Sequence, residues 1–359
     1  MRVEILGSAA GGGFPQWNCN CRNCHAVRAG TFPGKARTQT QVAVSKSSDS
    51  WTLLNASPDL RLQIEAPAVL HPREKQRHSP ISGVLLSGAD VDQVAGLLSL
   101  REFQPLSVYC TPAVECILRK DNSIFKVLNR VPSQVSWNVT PVGESFSLMN
   151  GRGEDSGICA SLFSIGGHCP DYVSAELANS LRPEECQAGV ILQSPGVKVV
   201  YMPTVPAIDD SLLERLESAD LVLFDGTFWS DDELRRVKGS GPTAREMGHV
   251  PVSGAEGSLR LLGSVSRPRR VFLHINNTNP MLDESGPEYR QVREAGWEIA
   301  EDGMSLTFIS SEIEEMLRTC SRLIVMKDRE IVGELSGTNL TESDVMHVIA
   351  GGATAQGGA

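Results

Sequence analysis

The sequence of 359 residues lacks several features, and each absence argues against a class of protein. No run of about 18 apolar residues is present, so we predict no membrane span. The first residues, MRVEILG, have neither the basic start nor the long apolar segment of a secretory signal peptide, and we therefore expect a cytoplasmic protein. The formal net charge of −10 lacks the basic excess that neutralises phosphates, so we expect no nucleic-acid partner.

Common motifs for nucleotide binding and hydrolysis are also missing. The glycine-rich segment GGGFP at residues 11–15 has neither the G-x-x-x-x-G-K-[ST] spacing of a P-loop nor the G-x-G-x-x-G spacing of a dinucleotide site. No G-x-S-x-G sequence supplies the nucleophile elbow of a serine hydrolase. Metal ligands are the candidates that remain.

The segment WNCNCRNCH at residues 17–25 holds three of the nine cysteines. Cys19, Cys21 and Cys24 follow C-x-C-x-x-C spacing, which lets one loop turn three thiolates toward one point. In a reducing compartment such cysteines are more often metal ligands than disulfides, and their loop does not resemble a thioredoxin-like redox helix. We predict a structural zinc site. A closed zinc site takes four N or S ligands, so the fourth is either His25 or a residue far along the chain.

The order of elements predicts an α/β fold. We predict a strand in MRVEILG and a hairpin in QVAVSKSSDSWTLL. A strand, a polar loop and a helix are then predicted in ISGVLLSGADVDQVAGLLSLREF. Two later apolar runs, LVLFD and RRVFLH, end at Asp225 and His274. Strand ends that converge on such residues form an active-site edge in α/β proteins.

Seven long stretches are spread over residues 1 to about 306: GSAAGGGFPQWNCNCRNC, LNASPDLRLQI, DVDQVAGLLSLRE, LFDGTFWSDDE, MGHVPVSG, FLHINNTNP and EIAEDGMSL. In these stretches the chain resembles the family of pyrroloquinoline quinone (PQQ) biosynthesis protein B, in the metallo-β-lactamase-like superfamily. The resemblance implies an αββα sandwich, in which two mixed sheets pack face to face, helices lie outside, and metals lie at strand ends along one edge.

This chain departs from the superfamily at the motif of its hydrolases. Where they carry H-x-H-x-D-H, the matching positions here hold Gly88, Asp90, Asp92 and Gln93. A two-zinc site that activates water needs neutral imidazoles and a bridging carboxylate, so a metal-dependent hydrolase is only the second alternative function. Many members have a histidine where Gln93 stands, and an amide oxygen binds iron more weakly than imidazole does.

What remains can build one mononuclear site. Asp92, Asp225 and His274, with His249 or Asp90, form a mixed set of carboxylates and imidazoles that suits catalytic Fe(II) with positions open for oxygen. The resemblance implies hydroxylation of the tyrosine ring in a Glu-Tyr intermediate derived from a peptide, on the route to PQQ. The first alternative that it implies is a carrier of finished PQQ.

Each of these residues also has a plain structural explanation. Asp92 could be the N-cap of a helix, Asp225 could serve a turn after its strand, and His249 could satisfy a loop carbonyl. The segment after His274 is too polar to be core. Its asparagines are expected to brace loops or to orient metal ligands: Asn276, Asn277 and Asn279.

His274 could serve either metal. In phosphonate-pathway hydrolases of the superfamily, a three-cysteine loop takes its fourth ligand from the region of the final active-site histidine. We therefore place His274 ahead of His25 as the zinc ligand, which would reduce the second site to carboxylates and His249. The pair His168 and Cys169 matches no motif that supports a metal site.

The end of the chain resembles a different protein. Residues 307–352 are similar to the C-terminal end of a sugar-importing ABC transporter ATPase, without a P-loop, so we expect no ATP binding. Ile313, Met316 and Leu317 would lie on one side of an amphipathic helix before a β-run. Residues 353–359 are expected to be disordered. Residues 1–306 would form the metallo-β-lactamase-like domain, and the assembly stays open between a monomer and a homodimer.

Overall fold

The architecture is built on two seven-stranded sheets and a separate strand pair. The computed structural model describes residues 1–306 except 48, 74 and 75, and beyond them residues 313, 316, 317, 322–327, 330–336 and 340–350. The strands of the first sheet are β1 (Arg2–Gly7), β2 (Gln41–Ser45), β3 (Trp51–Leu54), β4 (Ile81–Leu85), β5 (Leu106–Cys110), β6 (Val135–Val139) and β14 (Met304–Leu306). The strands of the second sheet are β7 (Ser145–Met149), β8 (Asp155–Ser164), β9 (Ala188–Ser194), β10 (Val197–Met202), β11 (Leu221–Asp225), β12 (Arg269–Leu273) and β13 (Glu298–Ile299).

Both large sheets are mixed. The first has the order β14-β1-β2-β3-β4-β5-β6, with antiparallel pairing from β14 to β3 and parallel pairing from β3 to β6. The second has the order β13-β12-β11-β10-β9-β8-β7, with parallel pairing from β13 to β10 and antiparallel pairing beyond. The predicted α/β class, with two mixed sheets, is confirmed. The parallel ends of the two sheets carry the residues of the candidate site.

Short helices connect the strands. The α-helices are α1 (Arg22–Arg28), α2 (Leu60–Glu65), α3 (Val91–Val94), α4 (Pro112–Glu115), α5 (Ala175–Ser180), α6 (Pro183–Cys186), α7 (Asp210–Glu217), α8 (Glu233–Lys238), α9 (Ser258–Leu261), α10 (Pro287–Glu294) and α11 (Glu342–Ile349). The 3₁₀ turns are Ala68–Leu70, Ala95–Leu100, Ser123–Asn129, Arg245–Met247 and Pro280–Leu282, and one π-helical segment is Cys116–Asp121. No helix among the described residues is long and apolar enough to cross a bilayer.

The main core has three layers, because the central strands bury both of their faces. In β11, Leu221 and Leu223 belong to one apolar cluster, whereas Val222 and Phe224 belong to another. This explains why LVLFD reads as a continuous apolar run instead of an alternating one. Phe224 is fully buried, and its replacement by Ala would cost about 3–5 kcal/mol of folding free energy.

The helix predicted after β4 is shorter than expected. It is α-helical only over α3 and continues as a 3₁₀ turn. The cause is a close neighbour, because the carbonyl of Gln93 accepts a hydrogen bond from Ala56 N at 2.6 Å and Gly96 N donates to Ala56 O at 2.8 Å. A Cβ on Gly96 would lie 2.3 Å from Ser57 O, so only glycine permits this approach. The contact holds the start of α3 against the loop after β3.

The strand pair near the end of the chain has its own apolar cluster. It consists of β15 (Arg322–Lys327) and β16 (Glu330–Ser336), and α11 packs on it. Ile313, Met316 and Leu317 all pack against this cluster, as a shared helix face requires. Most of the predicted helix before β15, and the predicted disordered tail at 353–359, lie outside the described residues. The division at residue 306 and the transporter-like origin stay predictions.

Candidate metal centre

Polar side chains converge where strands of the two large sheets end. Asp225 is the last residue of β11, His274 directly follows β12, and these strands are parallel neighbours. Ligand atoms of Asp225, His249 and His274 lie within 4.8 Å of one another. Asp92, from α3 after a strand of the other sheet, places Oδ2 3.0 Å from His274 Nε2. We call these four residues the imidazole–carboxylate centre.

Asp225 is fully buried and held by backbone donors. Its Oδ1 accepts a hydrogen bond from Thr227 N at 2.9 Å, and its Oδ2 accepts one from Val205 N at 2.8 Å. The bond to Thr227 N stabilises the turn after β11, as the structural explanation of Asp225 predicts. Oδ2 also lies 2.7 Å from His249 Nδ1, so this carboxylate does more than stabilise a turn. These partners satisfy a charge that burial would otherwise disfavour. The carboxylate is therefore fixed in orientation before any ligand binds.

His274 adopts an unusual backbone conformation with φ at 58°, in the left-handed region that few non-glycine residues occupy. Its Nδ1 lies 2.8 Å from Thr227 Oγ1, which also lies 2.6 Å from Asp225 Oδ1. A hydroxyl has one proton, and the carboxylate is its stronger acceptor, so Thr227 accepts from His274 Nδ1–H. Nε2 is then the nitrogen that faces Asp92. Burial alone would lower the pKa of His274, but the hydrogen bond and charge of Asp92 raise it overall.

His249 completes the centre from a loop. It follows Gly248, whose φ of 81° turns the chain after a 3₁₀ segment. The alternative in which a loop carbonyl satisfies this ring does not hold for Nδ1, whose partner is the carboxylate of Asp225. The ring stacks on that of His274 with centroids 5.4 Å apart, and Phe228 meets it edge-on at 5.8 Å. Both imidazoles are only 7% exposed.

Helix α3 is capped by Asp90 and not by Asp92. The helix begins at Val91, and Asp90 with Gln93 forms a capping box at its start. Asp92 therefore lies inside the first turn, and the N-cap explanation of this residue is wrong. Burial alone would raise the pKa of Asp92, but the hydrogen bond and charge of His274 lower it overall. Burial, with a further contribution from the charge of Asp92, raises the pKa of Asp90 to about 6.

The space beside Gly88 is filled by amides. A Cβ on Gly88 would lie 2.3 Å from Gln93 Oε1 and 2.5 Å from Gln187 Oε1. The amide of Gln93 accepts from Asp90 N at 3.4 Å and donates to Gln187 at 3.4 Å, while Gln187 in turn donates to Asp90 Oδ2. A histidine at position 88 would have no room without a change at these glutamines. The structure thus gives Gln93 partners other than the imidazole–carboxylate centre.

A cavity of about 730 Å³ opens onto the centre. Its lining includes Asp92, His249 and His274, and also His168 and Tyr172 from the segment after β8. Cavities of this size bind small molecules. The hydroxyl of Tyr172 donates to Ala89 O at 2.5 Å.

A disulfide joins two parts of the chain beside this cavity. Cys169 is bonded to Cys186, 17 residues away, and Cys186 directly precedes Gln187 of the cavity wall. A bonded Cys169 cannot ligate a metal, so its pairing with His168 as ligands is excluded. Sequence reasoning missed this bridge because spacing alone does not specify connectivity.

The three cysteines of the C-x-C-x-x-C segment meet as expected. The sulfurs of Cys19, Cys21 and Cys24 lie within 4.8 Å of one another, and all three are free thiols. Cys21 is the N-cap of α1, and Arg28 from the end of α1 donates to Cys19 O at 2.5 Å. Burial raises the pKa of the Cys24 thiol to about 11. Burial alone would also raise the pKa of Cys19, but hydrogen bonds from Cys21 and Asn277 lower it overall.

Neither predicted fourth ligand joins the cysteines. His25 is exposed and lies outside the group of sulfurs. The ring nitrogens of His274 face Thr227 and Asp92, so the expectation that His274 completes the zinc site is wrong in this structure. Three soft sulfurs nevertheless suit zinc as a donor set. We call them the cysteine centre.

The polar segment after His274 supports both centres. Asn279 donates to Gly226 O at 3.0 Å and to Thr227 O at 3.2 Å, which braces the turn after β11 as expected. Asn277 instead contacts the cysteines.

Sequence reasoning missed Thr227 and Gln187. Thr227 could have been found as the polar residue that follows Asp225-Gly226, whereas no local signal identifies Gln187.

Comparisons with known proteins agree with this architecture. A family profile described as a beta-lactamase superfamily domain matches residues 50–275. Coenzyme PQQ synthesis protein B of Methylorubrum extorquens is 42% identical over 306 residues, which are 85% of this chain and 99% of that relative. The crystal structure of Zn²⁺-bound PqqB from Methylobacterium extorquens has a TM-score of 0.79 at 41% identity, covering 86% of this chain and 100% of that one. A diphosphatase of the PhnP family shares the fold, with a TM-score of 0.56, 18% identity, and 86% and 98% coverage.

Proposed function

Since the chain belongs to the coenzyme PQQ synthesis protein B family of the β-lactamase superfamily, we propose that it acts in PQQ biosynthesis as an iron- and oxygen-dependent hydroxylase. The substrate is the tyrosine ring of a Glu-Tyr intermediate. One observation carries the proposal: two imidazoles and two carboxylates converge beside a cavity of about 730 Å³. That cavity is of the size that encloses small ligands.

The donor set fits a single divalent iron. Asp225, His249 and His274 offer one carboxylate and two imidazoles within 4.8 Å, and Asp92 adds a carboxylate next to His274. Mixed sets of histidine and carboxylate hold non-haem Fe(II) and leave positions open. When bound, the iron supplies oxygen activation.

The chain's own contribution is to hold these donors in place. Backbone N–H groups of Val205 and Thr227 fix both oxygens of Asp225. The hydroxyl of Thr227 fixes the ring of His274 through Nδ1, so that Nε2 is presented. Such supporting bonds set ring orientation and the tautomer of a metal-binding histidine. The ring of His249 is held between the stacked ring of His274 and the edge-on contact with Phe228.

Hydrolysis is less well supported. The two-metal hydrolases of the superfamily need histidines at the positions that Gly88, Asp90 and Gln93 occupy here. In this chain the amides of Gln93 and Gln187 fill the space beside Gly88 and are hydrogen-bonded to each other. They stand where the histidine ligands of a second metal would lie. We also propose that the cysteine centre holds a structural zinc, which contributes to folding and takes no part in the reaction.

The test is an oxygen assay on protein prepared without oxygen and loaded with iron. With a Glu-Tyr dipeptide, O₂ and ascorbate, one oxygen atom should enter the ring. The second should leave as water, with two electrons supplied by ascorbate. Mass spectrometry of the dipeptide measures the first oxygen, and an electrode measures O₂ uptake. Asp92→Ala should abolish both, whereas the exposed Asp210→Asn should change neither.

The same assay distinguishes a hydroxylase from a carrier of PQQ. A carrier would bind PQQ tightly at one site per chain and would leave the dipeptide unchanged at every iron concentration. That result would overturn the hydroxylase proposal. Hydrolysis products from phosphodiester or lactam substrates, with no oxygen uptake, would instead favour a hydrolase.

A further inference from the structure

The amide of Asn277 is enclosed by the three sulfurs of the cysteine centre. Its Nδ2 lies 3.1 Å from Cys19 Sγ, 3.6 Å from Cys21 Sγ and 3.2 Å from Cys24 Sγ. The residue is only 4% exposed. One terminal atom of this amide therefore sits over the face of the sulfur triangle.

These distances approach the separations between ligand atoms in a tetrahedral zinc site. With zinc–sulfur bonds of about 2.3 Å and a zinc–oxygen bond of about 2.0–2.2 Å, sulfur and oxygen ligands lie roughly 3.6 Å apart. The separation from Cys21 Sγ is 3.6 Å and equals that spacing, whereas the separations from Cys19 Sγ and Cys24 Sγ are shorter, at 3.1 and 3.2 Å. The atom thus lies next to the position that a fourth ligand would take.

The amide can present either of two atoms at this position. Rotation of its terminal group by half a turn exchanges Nδ2 and Oδ1 with almost no change of shape. Nδ2 suits sulfurs without a metal, because an N–H can donate to them. A dication between three thiolates requires a lone pair, which only Oδ1 has. We infer that Asn277 Oδ1 is the fourth ligand of the zinc at the cysteine centre, an inference that rests on the structural zinc proposed above.

Other contacts hold Asn277 in place for this role. Asn23, from α1 between Cys21 and Cys24, donates its Nδ2 to Asn277 O at 3.2 Å and to Asn279 O at 3.1 Å. The cysteine loop and the asparagine segment are therefore clamped together through the backbone, independently of the sulfurs. Among the described histidines, His25 is exposed and His274 is engaged elsewhere, so neither competes for the fourth position.

The ligand links the two centres. Asn277 lies three residues after His274, whose left-handed backbone places its ring in the imidazole–carboxylate centre. A zinc bound by the three cysteines and by Asn277 would hold the segment that carries His274 against the cysteine loop. The zinc then acts as a positioning element for the site and remains outside the chemistry.

The test uses the full-length chain stripped of metal and titrated with Co²⁺. Thiolate-to-cobalt charge-transfer absorption reports the cysteine centre alone, since the other centre has no sulfur. Asn277→Ala should weaken cobalt and zinc affinity by at least about tenfold, the lower bound for loss of a supporting group at metal sites. Asn277→Asp should bind at least as tightly as the parent chain, because its oxygen can ligate although it has no N–H to donate. Asn276→Asp, one residue earlier, should leave the absorption and affinity unchanged.

Three results would overturn the inference, and they differ from one another. If Asn277→Asp weakens binding as much as Asn277→Ala does, the amide acts as a donor to sulfur. If neither variant weakens binding, the fourth ligand lies elsewhere. If the parent chain shows no charge-transfer band, and so matches Cys21→Ser, then the zinc proposal fails and the fourth ligand fails with it. The first two results leave the parent band intact and therefore spare the zinc proposal.

Discussion

The cysteine centre and the imidazole–carboxylate centre lie on either side of one polar segment, yet they are built in opposite ways. The first takes its sulfurs from residues 19–24, one loop and the start of one helix. The second takes its donors from four segments as distant in sequence as Asp92 and His274. Local spacing determines the first, whereas the second exists only when two sheets align their strand ends. The contrast shows why one could be placed from a motif and the other could not.

The donors differ as much as their origins. Soft sulfurs in a closed arrangement favour a metal that stabilises structure, and carboxylates with imidazoles beside a cavity favour a metal that leaves positions for substrate. Only the second centre adjoins the cavity of about 730 Å³ through its own side chains. We therefore expect changes at the first centre to alter stability, and changes at the second to alter activity.

The largest expected effect is loss of the cysteine centre. Cys21→Ser should lower zinc content and melting temperature together, because a structural zinc contributes folding free energy directly. Each kcal/mol lost should lower the melting temperature by about 1.5–2 °C in a domain of this size. Cys159→Ser, at an exposed free cysteine of β8, is the control and should change neither quantity. If zinc content and melting temperature stay unchanged in Cys21→Ser, the cysteine centre does not stabilise the fold through zinc, and the proposed difference between the two centres fails.

The next effect concerns the other centre. Asp225→Ala should abolish iron binding and dipeptide hydroxylation while zinc at the cysteines is retained. It also leaves the N–H groups of Val205 and Thr227 without their acceptor, which costs about 1–3 kcal/mol for each buried donor. Asp225→Asn separates the two losses, because its one carbonyl oxygen keeps one acceptor but lacks the charge. Metal analysis and calorimetry measure the outcome. Release of zinc together with iron would show that the centres are not independent.

Sequence patterns located the strands and the cysteine site, because both depend on local signals. Asp225 and His274 were found as polar residues at the ends of apolar strands. The role of Asp92 was ambiguous, since its neighbour Asp90 proved to be the helix cap. The fourth position of the cysteine centre and the Cys169–Cys186 disulfide were missed. Both depend on which distant segments meet, and spacing along the chain does not encode that.

A smaller effect is expected at position 93, where a ligand would extend the imidazole–carboxylate centre. Imidazole binds divalent iron more firmly than an amide does, so Gln93→His should raise iron affinity by roughly tenfold and speed hydroxylation at limiting iron. Saturating iron should narrow the difference. Gln291→His, on the exposed face of α10, serves as the control. Equal iron affinity for the parent chain and Gln93→His would mean that an imidazole at position 93 keeps the present partners, Asp90 and Gln187, and does not turn to the metal.

The smallest effect should follow removal of the end of the chain, since both centres lie before it. A cut before Leu306 would shorten β14, which is the edge strand of the first large sheet. Leu306 pairs with Val3 in the register of β14 with β1 and is only 6% exposed.

Truncation after Leu306 should therefore keep zinc, iron and hydroxylation at parental levels. Truncation after Gly303, the matched control, removes β14 entirely and should cost at least about 1.5–3 kcal/mol, the value of burying one leucine. Thermal melting and metal content of the two truncated chains measure the difference. The strand pair of β15 and β16 forms its own sheet and its own apolar cluster, separate from those of the two large sheets. A loss of iron or zinc on truncation after Leu306 would show that the C-terminal segment supports a centre, and the comparison would then have to include a third region.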